Sequence, residues 1–257
     1  MDADLERRFS GVARLYGASG AARLQAAHVC VIGIGGVGSW AAEALARSGV
    51  GKLTLIDLDM VAESNTNRQI HALGDIYGQA KVDAMRERIL LINPACQVST
   101  IEDFVTPENT ATLLSREFDW VIDAIDEART KVAMIAHCRR HGIPILTAGA
   151  AGGQLDPTQI RIADLARTEQ DPLLAKVRSR LRKDHGFTRK PNAKFGVSAV
   201  YSTEALRYPK PTSDCQLPAS ASALACAGFG SSVCVTAGFG LAAAAYVLRQ
   251  LAEAAAI

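Results

Sequence analysis

Four glycines, two acids and two cations between Gly33 and Asp126 have the types and spacing to handle a phosphorylated ligand. Gly33, Gly35, Gly36 and Gly38 follow directly on the β-branched run His28-Val29-Cys30-Val31-Ile32 and lead into Ser39–Ala46, whose apolar spacing is helical. In that order of strand, turn and helix, glycine lets the backbone pass close to a phosphate, and the first helical amides point at it with the helix dipole behind them. A bare strand-to-helix turn also takes glycine, so the fingerprint alone decides nothing. A second strand, Lys52–Ile56, ends in Asp57, nineteen residues after Gly38. An acid there suits ribose hydroxyls.

A nicotinamide dehydrogenase fits this far and no further. Asp57–Gln69 is a dense polar cluster containing Asn65 and Arg68, and a planar guanidinium beside a phosphate-cradling turn suits a triphosphate better than a dinucleotide pyrophosphate. Lys81 falls in the first turn of a helix predicted over Gly78–Leu90, where a positive charge is disfavoured unless an anion offsets it. An exposed lysine there would also be unremarkable. Asp126 closes a strand predicted over Trp120–Asp126. Ligands of open α/β sheets bind outside such strand ends, so Asp126 is a candidate to hold magnesium on a triphosphate. Capping a helix over Arg129–Arg140 is the plainer use of the same aspartate. Asp123, inside the strand, reads as a buried, hydrogen-bonded acid.

The elements that must position these residues read in order. Asp4–Gly17 is a short amphipathic helix with Arg14 near its end. Gln97–Ile101, Ile143–Ala150 and Gln159–Ala163 are further strands, Asp171–Lys183 is a basic helix, and Phe195–Tyr201 returns to strand alternation. His185–Lys194 is a cationic loop, and Pro209–Ala225 is a Ser/Ala/Pro stretch of low complexity expected to be mobile. Cys215–Leu248 carries no charge. It is long enough to raise a membrane span, but its Gly, Ser and Ala content weakens insertion, and the favoured reading is a buried strand and C-terminal helix packed on the sheet through small residues. The fold class is α/β: a Rossmann-like, mostly parallel sheet with helices on both faces, continued by antiparallel strands and a C-terminal helix. One domain is expected, with a nucleotide-binding half over about 1–165 and a basic substrate half over about 166–257.

Gly-x-Gly-Gly-x-Gly, then Asp-x-Asp-x-Val, then Ser64-Asn65-Thr66-Asn67-Arg68-Gln69 resembles the ubiquitin-activating-enzyme-like adenylyltransferases, which activate carboxylates with ATP. Within them, Ala13–Gly17, Thr66–Leu73, Asp103–Pro107 and Ala150–Gln159 resemble the tRNA threonylcarbamoyladenosine dehydratases. The resemblance covers most of the chain and is weakest between about Arg178 and Ala225. It implies ATP and Mg2+ as cofactors, with a monovalent cation left open. Gly35, Gly36, Asp57, Asn65, Arg68, Lys81 and Asp126 would surround the nucleotide, and Arg14 would reach the partner subunit's site in a homodimer. It implies a tRNA substrate, whose threonyl carboxylate is adenylated before an internal nucleophile closes a ring. Cys226 resembles a position that would take sulfur from a cysteine desulfurase system; a thiol in such apolar surroundings is also ordinary packing, and ring closure needs no enzyme thiol.

Composition agrees with a folded protein of the reducing cytoplasm. The 257 residues are 49% apolar, and six scattered cysteines form no Cys-x-x-Cys pair. Net charge is only +2, yet Pro172–Lys210 holds ten basic residues against Asp184 and Glu204, a local +8 that leaves −6 elsewhere. Arg178, Arg180, Arg182, Lys183, Arg189, Lys190 and Lys194 are therefore candidates for tRNA contact, against the bland alternative of a solvated basic face. An activator of a ubiquitin-like sulfur-carrier protein shares the adenylation chemistry, but its bacterial forms usually carry the paired zinc cysteines missing here. A nicotinamide oxidoreductase, or a nucleotide sensor on the same fold, is the third class.

Overall fold

The computed structural model describes residues 4–114, 117–208 and 229–253. Its elements are α1 (Leu5–Ala26), β1 (His28–Ile32), α2 (Gly38–Arg47), β2 (Lys52–Ile56), α3 (Lys81–Ile92), β3 (Gln97–Ile101), α4 (Thr110–Leu113), β4 (Trp120–Asp123), α5 (Ala128–His141), β5 (Ile145–Ala148), β6 (Ile160–Asp164), α6 (Pro172–Asp184), β7 (Ser198–Ser202) and α7 (Val233–Glu253). One sheet runs β3-β2-β1-β4-β5-β7-β6. All its pairings are parallel except β6 with β7. The same sheet thus spans both halves expected from the sequence.

Strand alternation splits the core into two layers. Val29, Val31, Leu53 and Leu55 face α2, α3 and α7, while Cys30, Ile32 and Ile56 face α5 and α6. Each such side chain, fully buried, contributes roughly 1.5–3 kcal/mol by leaving water. A sheet covered on both faces needs strands largely apolar on both sides, as Val29–Ile32 of β1 are; in β2 the buried Thr54 is the polar exception, its hydroxyl 2.8 Å from His28 Nε2.

Several boundaries differ from expectation for local reasons. The N-terminal helix breaks at Gly17, with φ 75° and ψ 162°, but resumes and continues to Ala26. The helix containing Lys81 begins at that residue rather than at Gly78, since Gly78 has φ 89° and ends a turn. The fourth strand stops at Asp123, leaving Asp126 in the loop beyond it. The C-terminal helix is long and apolar enough to cross a membrane by length and composition. It packs instead against α1, α2 and the sheet: Gly240 leaves no room for a Cβ against the backbone of Val37 and Ala41, and Tyr246 meets Trp120 edge-on at 5.8 Å. The strand expected before it, the stretch Pro209–Ala225 and Cys226 lie outside the described residues, apart from 229–232, which form no strand.

Candidate functional site: a cleft at the switch point of the sheet

Because β2 and β4 flank β1 and the chain winds outward from them in opposite directions, their carboxyl ends open a crevice. A cleft of about 560 Å³ lies there. Gly33, with φ 85°, turns the chain out of β1 directly under the backbone of Ala124. Asp57 then clamps the turn: its carboxylate accepts from the Ile34 amide at 2.6 Å and from the Asp59 amide at 2.9 Å. Burial raises its pKa above the usual carboxylate value, opposed by Lys81 and by these two amides. The N-terminus of α2 has no side-chain cap, and among the described residues the amides of Gly35 and Gly36 find no acceptor. The turn therefore offers bare donors at a positive helix end.

The cations come from the next segment. Arg68 lays its aliphatic stem over Gly36, where an added Cβ would sit 3.1 Å from Cγ, and donates to Ser64 O at 2.8 Å and Asn67 Oδ1 at 2.9 Å. No carboxylate pairs with it among the described residues. Lys81 is buried, and its Nζ lies 2.6 Å from Asp59 Oδ2, an exposed acid that also lines the cleft. Asp126 lies exposed on the opposite wall without a partner among the described residues. The cap of α5 is not Asp126 but Glu127, which accepts from Arg129 and Thr130 amides, so the capping explanation of Asp126 falls away.

Behind that wall lies a buried network that the sequence reading met only as Asp123. Lys131 Nζ donates to Asp123 Oδ1 at 2.9 Å and Thr147 Oγ1 at 3.2 Å, all without exposure. Asp123 also accepts from the Ile125 amide, one residue before Asp126. Beyond Lys131 lies Asp171, whose pKa burial raises above the usual carboxylate value against the opposing backbone amides and the Lys131 charge; it caps α6 and accepts from the Ala150 amide at 2.9 Å in the loop Gly149–Gly152 of the cleft.

Of the expected nucleotide contacts, Gly33, Gly35, Gly36, Asp57, Arg68, Lys81 and Asp126 line this one cleft. Gly38 and Asn65 do not. A Cβ on Gly38 would run into the Gly33 carbonyl, so that glycine serves helix-to-strand packing; Asn65 is buried and its Oδ1 holds the Ala62 amide at 3.1 Å, shaping the Arg68 turn. Arg14 is exposed on α1 and does not line the cleft of its own chain. Sequence reasoning missed Asp59, Gln69, Phe104, Phe229, Ser231 and Thr236, which also line it. Asp59 was visible in the Asp-x-Asp spacing; the last three are too distant in sequence for any spacing to join them to the turn.

The basic candidates divide. Arg178 donates to Thr168 Oγ1, and Arg182 stacks 5.2 Å above the Phe195 ring, so both have duties within the fold. Arg180 is half-buried and lies near enough to the cleft acid Glu127 to favour its ionised form, while Lys183, Arg189, Lys190 and Lys194 are exposed. Lys194 borders a second, shallower cavity of about 380 Å³ together with Arg139, Arg140 and His185.

The ThiF family model matches residues 8–253. A tRNA threonylcarbamoyladenosine dehydratase of Haemophilus influenzae is 53% identical over 247 residues, 96% of this chain and 94% of that one. One from Escherichia coli is 53% identical over 255 residues, 97% and 95% of the two chains. The crystal structure of the E. coli enzyme in complex with ATP matches with a TM-score of 0.87 at 51% identity, covering 98% of this chain and 96% of that one. Another, in complex with AMP, has the same TM-score at 52% identity, with 97% and 96% covered.

Proposed function

The chain belongs to the ThiF family, and from that membership and its likeness to the dehydratases we propose that it uses ATP to dehydrate threonylcarbamoyladenosine in tRNA beside the anticodon. A carboxylate is a poor electrophile, because its charge is delocalised and oxide leaves badly. Its oxygen attacks the α-phosphorus of ATP, pyrophosphate departs, and an internal nucleophile of the modified nucleoside then displaces AMP and closes a ring. Net water is lost. The observation that carries this reading is the single cleft bordered at once by Gly35, Gly36, Asp57, Arg68, Lys81 and Asp126.

Each group has a role suited to its setting. Gly35 and Gly36 offer amides to phosphate, and Asp57 faces the ribose while holding the turn. Arg68 and Lys81 neutralise the triphosphate and the departing pyrophosphate, a positioning and electrostatic task. The described residues contain no cluster of three metal-binding side chains. Magnesium fits that donor set, because it keeps waters and phosphate oxygens and takes one or two carboxylates; Asp126 would hold it, where it would neutralise charge on the triphosphate. In a homodimer, Arg14 would complete the phosphate contacts of the partner's cleft. Exposed Arg189, Lys190 and Lys194, with half-buried Arg180 on α6, would hold the tRNA backbone. A tRNA substrate implies work in the cytoplasm.

The test is incubation with threonylcarbamoyl-modified tRNA, ATP and magnesium, followed by nucleoside mass analysis and AMP measurement. A dehydrated nucleoside formed with one AMP supports the reading. Untouched tRNA with adenylation of a sulfur-carrier protein would transfer the chain to that sister activity.

A further inference from the structure

We infer that the exposed ring of Tyr208, seated on Phe229 at the mouth of the cleft, is the stacking platform for the purine base whose side arm is adenylated. This rests on the tRNA reading above and goes beyond it by naming the surface that receives the base. Tyr208 is 72% exposed, so its ring face is open to a partner. Its ring centroid lies 5.2 Å from that of Phe229, tilted by 55°. Phe229 is fixed from below, since a Cβ on Gly152 would meet it at 3.3 Å and one on Gly153 at 2.9 Å. Backbone bonds hold the platform in place: Gly153 donates to Gly230 O and Arg207 donates to Gly153 O, both at 2.8 Å.

The position suits the second reactant. The glycine turn and Asp57 occupy the β1–β2 end of the cleft, whereas Gly149–Gly152, Leu206 and Phe229 form its β5 side. Three strand spacings of about 4.8 Å separate β2 from β5, so a second reactant has its own side of the cleft. An apolar aromatic face is what an unstacked base needs. Charge complementarity also favours RNA: Tyr208 belongs to the segment carrying +8, although its neighbour Arg207 spends its charge on Glu204 at 3.5 Å.

The experiment uses the full-length protein, an anticodon stem-loop oligonucleotide with 2-aminopurine in place of the target adenosine, and modified tRNA. Wild type should quench the 2-aminopurine fluorescence on binding. Tyr208→Ala should lose the quench and raise KM for modified tRNA about tenfold, the scale of removing one base–aromatic stack, with ATP affinity unchanged. Tyr208→Phe should restore both. An unchanged quench in Tyr208→Ala, or a KM within about twofold of wild type, overturns the platform while leaving the dehydratase reading intact. A wild type that dehydrates no tRNA and adenylates a protein C-terminus overturns both.

Discussion

Lys131 Nζ stands 2.9 Å from Asp123 Oδ1, and neither side chain has any exposed surface. The pair sits between the two loops that form one wall of the cleft, tied to Asp126 through Ile125 and to Gly149–Gly152 through Asp171. Removing the cation alone would leave two acids buried without it. Lys131→Met should therefore lose about 3–5 kcal/mol in urea unfolding. The double variant Lys131→Met/Asp123→Asn should recover a clear part of that loss, because it deletes the unpaired charge as well. Simple additivity of the two single changes would contradict the account.

His71 gives the fold a pH dependence of known sign. Burial, with Lys81 and Arg88 nearby, pushes its ring from the ordinary 6.5 down to about 4, and both ring nitrogens lack a partner among the described residues. The unfolded chain takes up this proton near 6.5, whereas the folded chain resists it until about 4. Its contribution is therefore complete above 6.5 and is lost as pH falls toward 4, by roughly 3 kcal/mol in all. His71→Leu should flatten that slope and leave stability near pH 7 little changed. An acid slope identical to wild type would refute the assignment.

Two glycines of one turn should fail differently when given a methyl group. At Gly36 the new Cβ would press on the movable stem of Arg68 at 3.1–3.2 Å, so Gly36→Ala should raise the KM for ATP while the protein stays folded. At Gly38 it would strike the Gly33 carbonyl, so Gly38→Ala should lower the melting temperature first. Parallel measurement of Tm and ATP affinity separates the cases. Equal melting losses in both would contradict the division of roles.

The basic surface should also divide on mutation. Neutralising Arg189 and Lys190, which are exposed, should weaken tRNA binding and lower the salt slope by about one for each phosphate left without its cation. Neutralising Arg178 or Arg182 should reduce stability as well, because Thr168 and Phe195 lose a partner. A salt slope unchanged in the Arg189/Lys190 variant would remove those residues from the tRNA footprint.

The β-branched runs, the glycine turn and the acids at strand ends were legible because sheet periodicity and turn chemistry are local. The same locality hid other parts. Adjacent Asp126 and Glu127 are interchangeable to a pattern, yet only Glu127 caps α5. Lys131 reads as one more surface charge in a polar helix, and nothing short of the packed fold places it between Asp123 and Asp171. Gly36 and Gly38 share a motif but meet an arginine stem and a carbonyl respectively. Thr236 reaches the cleft because α7 crosses α2, a contact between segments nearly two hundred residues apart, and Phe229 because it packs on Gly152 and Gly153.

The central claim is that Arg68, Lys81 and Asp126 act on one magnesium–triphosphate beside the glycine turn. ATP–pyrophosphate exchange driven by modified tRNA tests it most directly, in wild type, Lys81→Met and Asp126→Asn, each first verified as folded. Exchange in the wild type that falls at least about a hundredfold in either variant, the usual scale for losing one charge-stabilising group, is the predicted result. Exchange undiminished in both variants would contradict it.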